Sequence, residues 1–143
     1  MKDYLHKVQY YETDKMGVTH HSNYIRWMEE ARTDYMEQMG YSYQRLETLG
    51  VMSPVVSIEC SYKAPTTYAD IVTIKVEVEE LTGVKLKVKY TMTKEDGTLA
   101  FEGHSQHCFL GEGGKIVRLK NEVPELYEAF LNILLISFIC PKE

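Results

Sequence analysis

The stretch from Tyr10 to Tyr24 reads YYETDKMGVTHHSNY and holds the residues best suited to chemistry. Asp14 offers a carboxylate, a group ordinarily ionised at neutral pH and so ready to serve as base or nucleophile. Gly17 lets the chain turn tightly behind it. After His20 and His21 a helical pattern opens. The first N–H groups of a helix have no partner within it and together carry about half a positive charge. A carboxylate beside such a helix start suits attack on a carbonyl, or activation of a water next to one, with the N–H groups holding the developing oxyanion. Spacing alone leaves a second reading open, because an aspartate shortly before a helix also serves as a cap or turn residue.

The elements on either side must position this stretch. Before it, Tyr4, His6, Val8 and Tyr10 alternate along a first strand. After it, Tyr24, Met28, Ala31, Tyr35 and Met39 form one helical stripe, with Arg26, Glu29, Glu30, Thr33 and Glu37 facing away and Gly40 as the stop. No Pro or Gly interrupts Ser22 to Met39, a run of about 25 Å at 1.5 Å per residue. Downstream, Val56, Ile58, Cys60 and Tyr62 alternate with polar residues, as do Val72, Ile74, Val76 and Val78. A turn at Leu81-Thr82-Gly83 leads to a partner strand carrying Val84, Leu86, Val88, Tyr90 and Met92. Asp96-Gly97 then turns the chain into a strand from Leu99 to Leu110, which Gly111 to Gly114 ends. The expectation is an α+β fold in which an antiparallel sheet of five or six strands wraps one long central helix, since nothing else in the chain covers that much apolar face.

Composition narrows the class. With 143 residues, 44% hydrophobic and 26% charged, the chain reads as one soluble globular domain rather than a disordered or fibrous protein. A net charge of −5 supplies no overall positive field for nucleic acid or an anionic membrane. Cys60, Cys108 and Cys140 are odd in number and lack metal spacing, so neither disulfides nor zinc is signalled and no cofactor is expected. The first nine residues have no apolar core of a secretory signal, and a cytoplasmic location is the expectation. The domain is placed at 1–128. Ala129 to Cys140, AFLNILLISFIC, is too short to span a bilayer, so 129–143 is expected to form a helical extension packed on the body or at a subunit contact.

Several other residues have plain readings. His20-His21 has no third ligand nearby to make a metal site, and His104 and His107 point to opposite faces of their strand. Lys85, Lys87 and Lys89 read as a solvated strand face. Trp27 reads as core or interface. Glu30 and Arg32 stand two apart on the helix, so each needs a partner elsewhere.

The run Tyr-x-x-Thr-Asp-x-x-Gly-Val, followed by His-x-x-Tyr and a helix containing Glu30-Ala31-Arg32, resembles the 4-hydroxybenzoyl-CoA thioesterase-like family of hot-dog proteins. It is most similar to the acyl-CoA thioester hydrolase branch. Tyr62-Lys63-Ala64-Pro65 and Tyr68-Ala69-Asp70 continue the resemblance, which covers about residues 3 to 127. It implies a hot-dog fold and hydrolysis of an acyl-CoA, with Asp14 as nucleophile or general base. It further implies a tight turn at Gly17-Val18, catalytic roles for His21 and its backbone N–H, and Tyr10 and Tyr24 at the pocket. Lys63 and Lys85 are the candidates for meeting the nucleotide phosphates. A homodimer or homotetramer with its sites at the dimer interface is implied as well. Two alternatives stand beside this: an acyl-carrier-protein thioesterase, and a non-catalytic acyl-thioester-binding module on the same fold.

Overall fold

The computed structural model describes residues 1–139. Five strands, β1 (Tyr4–Lys7), β2 (Val55–Tyr62), β3 (Ile71–Leu81), β4 (Lys85–Thr93) and β5 (Leu99–Cys108), form one antiparallel sheet in the order β1-β3-β4-β5-β2. The helices are α1 (Ser22–Gln38), α2 (Tyr43–Thr48), α3 (Leu119–Glu122) and α4 (Pro124–Ile139), with 3-10 turns at Tyr10–Glu12 and Glu112–Gly114. This is the α+β layout of sheet and long helix that the sequence implies. By packing, the described chain forms two compact units. The first comprises Met1–Tyr35, Glu59–Val76 and Lys89–His104; the second comprises Met36–Ile58, Glu77–Val88 and the chain from Ser105 onward.

In the first unit the stripe on α1 packs as its spacing requires. Tyr24, Met28, Ala31 and Tyr35 are buried, and Trp27 joins them. Val72, Ile74, Tyr90, Met92, Ala100 and Phe101 of the sheet are buried in the same unit. Each large side chain so buried contributes roughly 1.5–3 kcal/mol. The ring of Tyr24 stacks on Phe101 at 5.0 Å, and Arg32 Nη1 donates to the Tyr90 hydroxyl at 3.0 Å. Arg32 therefore finds its partner on β4, while Glu30 finds His6 of β1. β1 pairs antiparallel with β3, setting His6 opposite Val72. It ends at Lys7 rather than reaching Tyr10, because the backbone of Val8 is taken up by Ala69 and Asp70 and the chain then curls into the 3-10 turn. Tyr10 is consequently 77% exposed.

In the second unit α1 ends at a Schellman motif: Tyr41 N–H donates to Met36 O, Gly40 N–H donates to Glu37 O, and Gly40 holds φ +84. Met39 lies just past the helix and is half-buried rather than on the buried stripe. The short α2, too brief for periodicity to signal, is set by its ends. Ser42 Oγ accepts from Arg45 N–H, and a second Schellman motif closes it at Gly50. Leu46, Val51, Phe109, Leu119, Val123, Leu126 and Phe130 are among the buried residues here. β5 stops two residues before Leu110, which instead makes isolated bridges to Met52 and Ile116. The apolar C-terminal segment is helical within α4, which starts at Pro124 and runs through the 128/129 boundary; Leu135 and Ile136 are exposed, and Cys140 lies outside the described residues. No described helix is long and apolar enough to cross a membrane.

Candidate active site

Asp14 sits on a small loop built by three backbone contacts. Thr13 and Thr19 bridge, Asp14 N–H donates to Val18 O at 2.8 Å, and Gly17 N–H donates to Asp14 O at 2.9 Å. Gly17 holds φ +78, a conformation that side chains with a Cβ adopt at a cost. Met16 N–H donates to Asp14 Oδ1 at 2.8 Å, which orients the half-buried carboxylate. The loop is docked on the segment after β2: Val18 bridges Thr67, and Thr19 N–H donates to Thr66 O. A buried hydroxyl chain continues the joint, with Thr19 Oγ1 2.6 Å from Thr66 Oγ1 and the latter 2.9 Å from the Tyr24 hydroxyl.

The N-terminus of α1 follows directly. His20 O accepts from Asn23 N–H, and His20 Nδ1 accepts from Ser22 N–H, so one residue satisfies two of the first donors. The imidazoles of His20 and His21 stack at 4.2 Å. The Tyr62 hydroxyl donates to His21 O at 3.1 Å, tying the last residue of β2 to the helix start. Partial burial, with Cys60 and Tyr24 alongside, raises the Tyr62 phenol above its ordinary range and so keeps it a proton donor. Among the described residues no group of three His, Cys, Asp or Glu side chains is arranged to hold a metal ion.

Tyr10, Asp14, Gly17, Val18, His21, Tyr24 and Lys63 all lie in the first unit; Lys85 opens β4 in the second. Their settings differ. Tyr24 is 3% exposed and spends its ring on Phe101, Trp27 and Tyr62, so it is a packed residue of the first unit rather than a surface one. Tyr10 is a surface residue whose ring meets Tyr68 edge to face at 5.8 Å. Lys63 is exposed, with its N–H donated to Ala100 O.

Glu12 was not singled out by sequence, yet it is 4% exposed directly below the loop. It lies 2.7 Å from His6 Nε2 through Oε1 and accepts Trp27 Nε1–H at 2.7 Å through Oε2. Burial pushes this carboxyl up, but the donors Gln9 N–H, His6 and Trp27 outweigh burial and hold it below the ordinary range. The only sequence hint was that His6 and Trp27, both with N–H groups, fall on inward faces. Ala69, the one non-glycine residue with positive φ among those described, adds local strain where the loop's docking segment meets Val8.

Comparison with known proteins adds four likenesses. The family model of the thioesterase-like superfamily matches residues 8–132. A relative from Aquifex aeolicus, provisionally named an esterase, is 36% identical over 123 residues, 86% of this chain and 94% of the relative. YneP of Bacillus subtilis, provisionally named an acyl-CoA thioesterase, is 34% identical over 125 residues, 87% of this chain and 91% of its own. The crystal structure of a DHNA-CoA thioesterase from Staphylococcus aureus superposes with a TM-score of 0.93 at 31% identity, covering 99% of this chain and 96% of that one.

Proposed function

Because the chain belongs to the thioesterase-like superfamily, we propose that it hydrolyses acyl-CoA thioesters, with Asp14 as the residue on which hydrolysis depends. The observation that carries this reading is the placement of an oriented, half-buried carboxylate on a loop that leads directly into the N-terminus of α1. A thioester carbonyl set between them meets Asp14 on one side and the His21 N–H on the other. Asp14 either attacks the carbonyl carbon, giving a mixed anhydride that water opens, or removes a proton from the attacking water. In both routes the thiolate of CoA departs and the carbonyl oxygen takes up negative charge, which the N–H stabilises. Loss of one such donor typically costs about 2.7–4 kcal/mol. Lys63 and Lys85 are the proposed cations for the CoA phosphates.

The edge strand β2 supports assembly with a second copy. Its eight residues leave Val55 43%, Val56 64% and Tyr62 49% exposed, and such an edge is a template for pairing. A homodimer, or a tetramer made of two, covers it. The segment beyond residue 128 extends α4 from the domain, and the cytoplasm is the proposed location.

Thiol release from a panel of short, long and aromatic acyl-CoAs and an acylated carrier protein, by wild type and Asp14→Asn side by side, tests the reading. Hydrolysis that falls at least a hundredfold in the variant supports it. Release from the carrier protein alone moves the assignment to that substrate, and binding without release by either protein leaves a binding module.

A further inference from the structure

The chemistry proposed above does not use Glu12, although it lies two residues ahead of Asp14 and is nearly inaccessible. Its carboxylate accepts Gln9 N–H at 2.9 Å in the 3-10 turn, meets His6 of β1 at 2.7 Å and accepts the Trp27 indole N–H of α1 at 2.7 Å. Its carbonyl accepts His20 N–H at 2.8 Å and Asn23 Nδ2–H at 2.9 Å. His6 in turn packs at a tilt against Trp27 with ring centroids 4.5 Å apart, and its Nδ1 stands 3.1 Å from Glu30. One residue thus holds the strand before the loop, the loop's entry, and the first two turns of α1. Stability alone would not call for a charge here, since replacing a whole buried polar cluster by well-packed apolar residues is often neutral or stabilising. What a multiply bonded carboxylate adds is direction, because each bond fixes a distance that apolar packing leaves loose.

We propose that Glu12 is a positioning residue: it sets the register between the loop that carries Asp14 and the helix start that carries the His21 N–H. The inference rests on the assignment of those two groups as the reacting carboxylate and the oxyanion donor. Misplacement of about 1 Å at a reacting centre costs on the order of a hundredfold in rate, so a clamp on both partners acts on turnover more than on binding. In Glu12→Gln one oxygen must serve where two did: the amide nitrogen that replaces the other has no lone pair, so either Gln9 N–H or the Trp27 indole N–H loses its acceptor and the clamp loosens.

The test measures kcat and KM of Glu12→Gln in the full chain, with nuclear magnetic resonance of the indole N–H of Trp27, the chain's single tryptophan, and hydrogen exchange of the His20 amide. The expected result is a folded protein whose kcat falls ten- to hundredfold while KM moves less than threefold. The indole resonance is expected to shift upfield, and His20 to exchange at least tenfold faster relative to Tyr90 in β4. A kcat within twofold of wild type, or a loss that lies in KM, overturns the proposal. Should Glu12→Gln not fold, Asn23→Ala removes one hold on the Glu12 carbonyl without disturbing the buried carboxylate. It is then expected to lose several-fold in kcat with KM held, and an unchanged kcat overturns the proposal. If the wild type hydrolyses no thioester, the functional reading fails separately, and His20 exchange decides: selective acceleration supports the clamp, and unchanged exchange removes it.

Discussion

A carboxylate held below its ordinary range by surrounding donors makes folding depend on pH in a defined direction. For Glu12 burial opposes ionisation, and the N–H of Gln9 with His6 and Trp27 more than offsets it, so the folded group binds its proton less readily than the unfolded one. Its contribution is present above the unfolded value of about 4.3 and is lost as pH falls through the lower folded value. Glu30 also faces His6, but it is present in both proteins of the comparison and cancels. Circular dichroism melts of wild type and Glu12→Gln at pH 7, 5, 4 and 3 are therefore expected to show the wild type more stable at pH 7 and the gap closing in acid. A gap independent of pH would mean that the charge on Glu12 contributes nothing.

Within the first unit the contact between α1 and β5 depends on the absence of a side chain at Gly103. A Cβ built there would lie 2.7 Å from Phe101 Cε1 and 3.1 Å from Met28 Cε. The Phe101 ring has little room to yield, because it is fully buried against Tyr24 at 5.0 Å and Tyr62 at 5.3 Å. Overpacking of this kind costs about 1–3 kcal/mol, so Gly103→Ala is expected to lose that much in urea denaturation. Because Tyr24 also bonds Thr66 under the Asp14 loop, a displaced ring disturbs the site as well as the core. A loss below about 0.5 kcal/mol, within the range of ordinary surface changes, would show that α1 shifts freely over the sheet.

At the scale of the whole molecule the two sheet edges are unlike. β1 is four residues long and carries Lys7, the sort of edge that discourages pairing, whereas β2 presents eight residues with exposed valines and a tyrosine. Val56→Lys places a charge at the start of that apolar row, on its most exposed residue. Sedimentation velocity is expected to show the wild type as a dimer or tetramer and the variant shifted toward smaller species. Equal masses for the two proteins would locate the contact elsewhere.

The succession of five strands and one long helix, the buried stripe of α1 and the faces of β3 and β4 follow from the sequence by itself, because alternation and helical spacing are local properties that tertiary packing here reinforces. The motif from Tyr10 to Tyr24 likewise marked the Asp14 loop, since a carboxylate, a glycine turn and a helix start are adjacent along the chain. Tertiary structure alone decided what depends on distant partners. The burial of Glu12 requires His6 from β1 and Trp27 from α1 to converge on one acid. The inward turn of Tyr24 requires Phe101 and Thr66, and the exposure of Tyr10 follows from a strand that ends at Lys7. The alternation of β2 is the clearest case: its sequence pattern matches that of a half-buried strand, and in the structure Ile58 and Cys60 are half-buried while Val56 and Tyr62 stay exposed on an edge strand. Local periodicity states which side of an element is apolar, while the partners that cover that side come from elsewhere in the chain or from another copy of it.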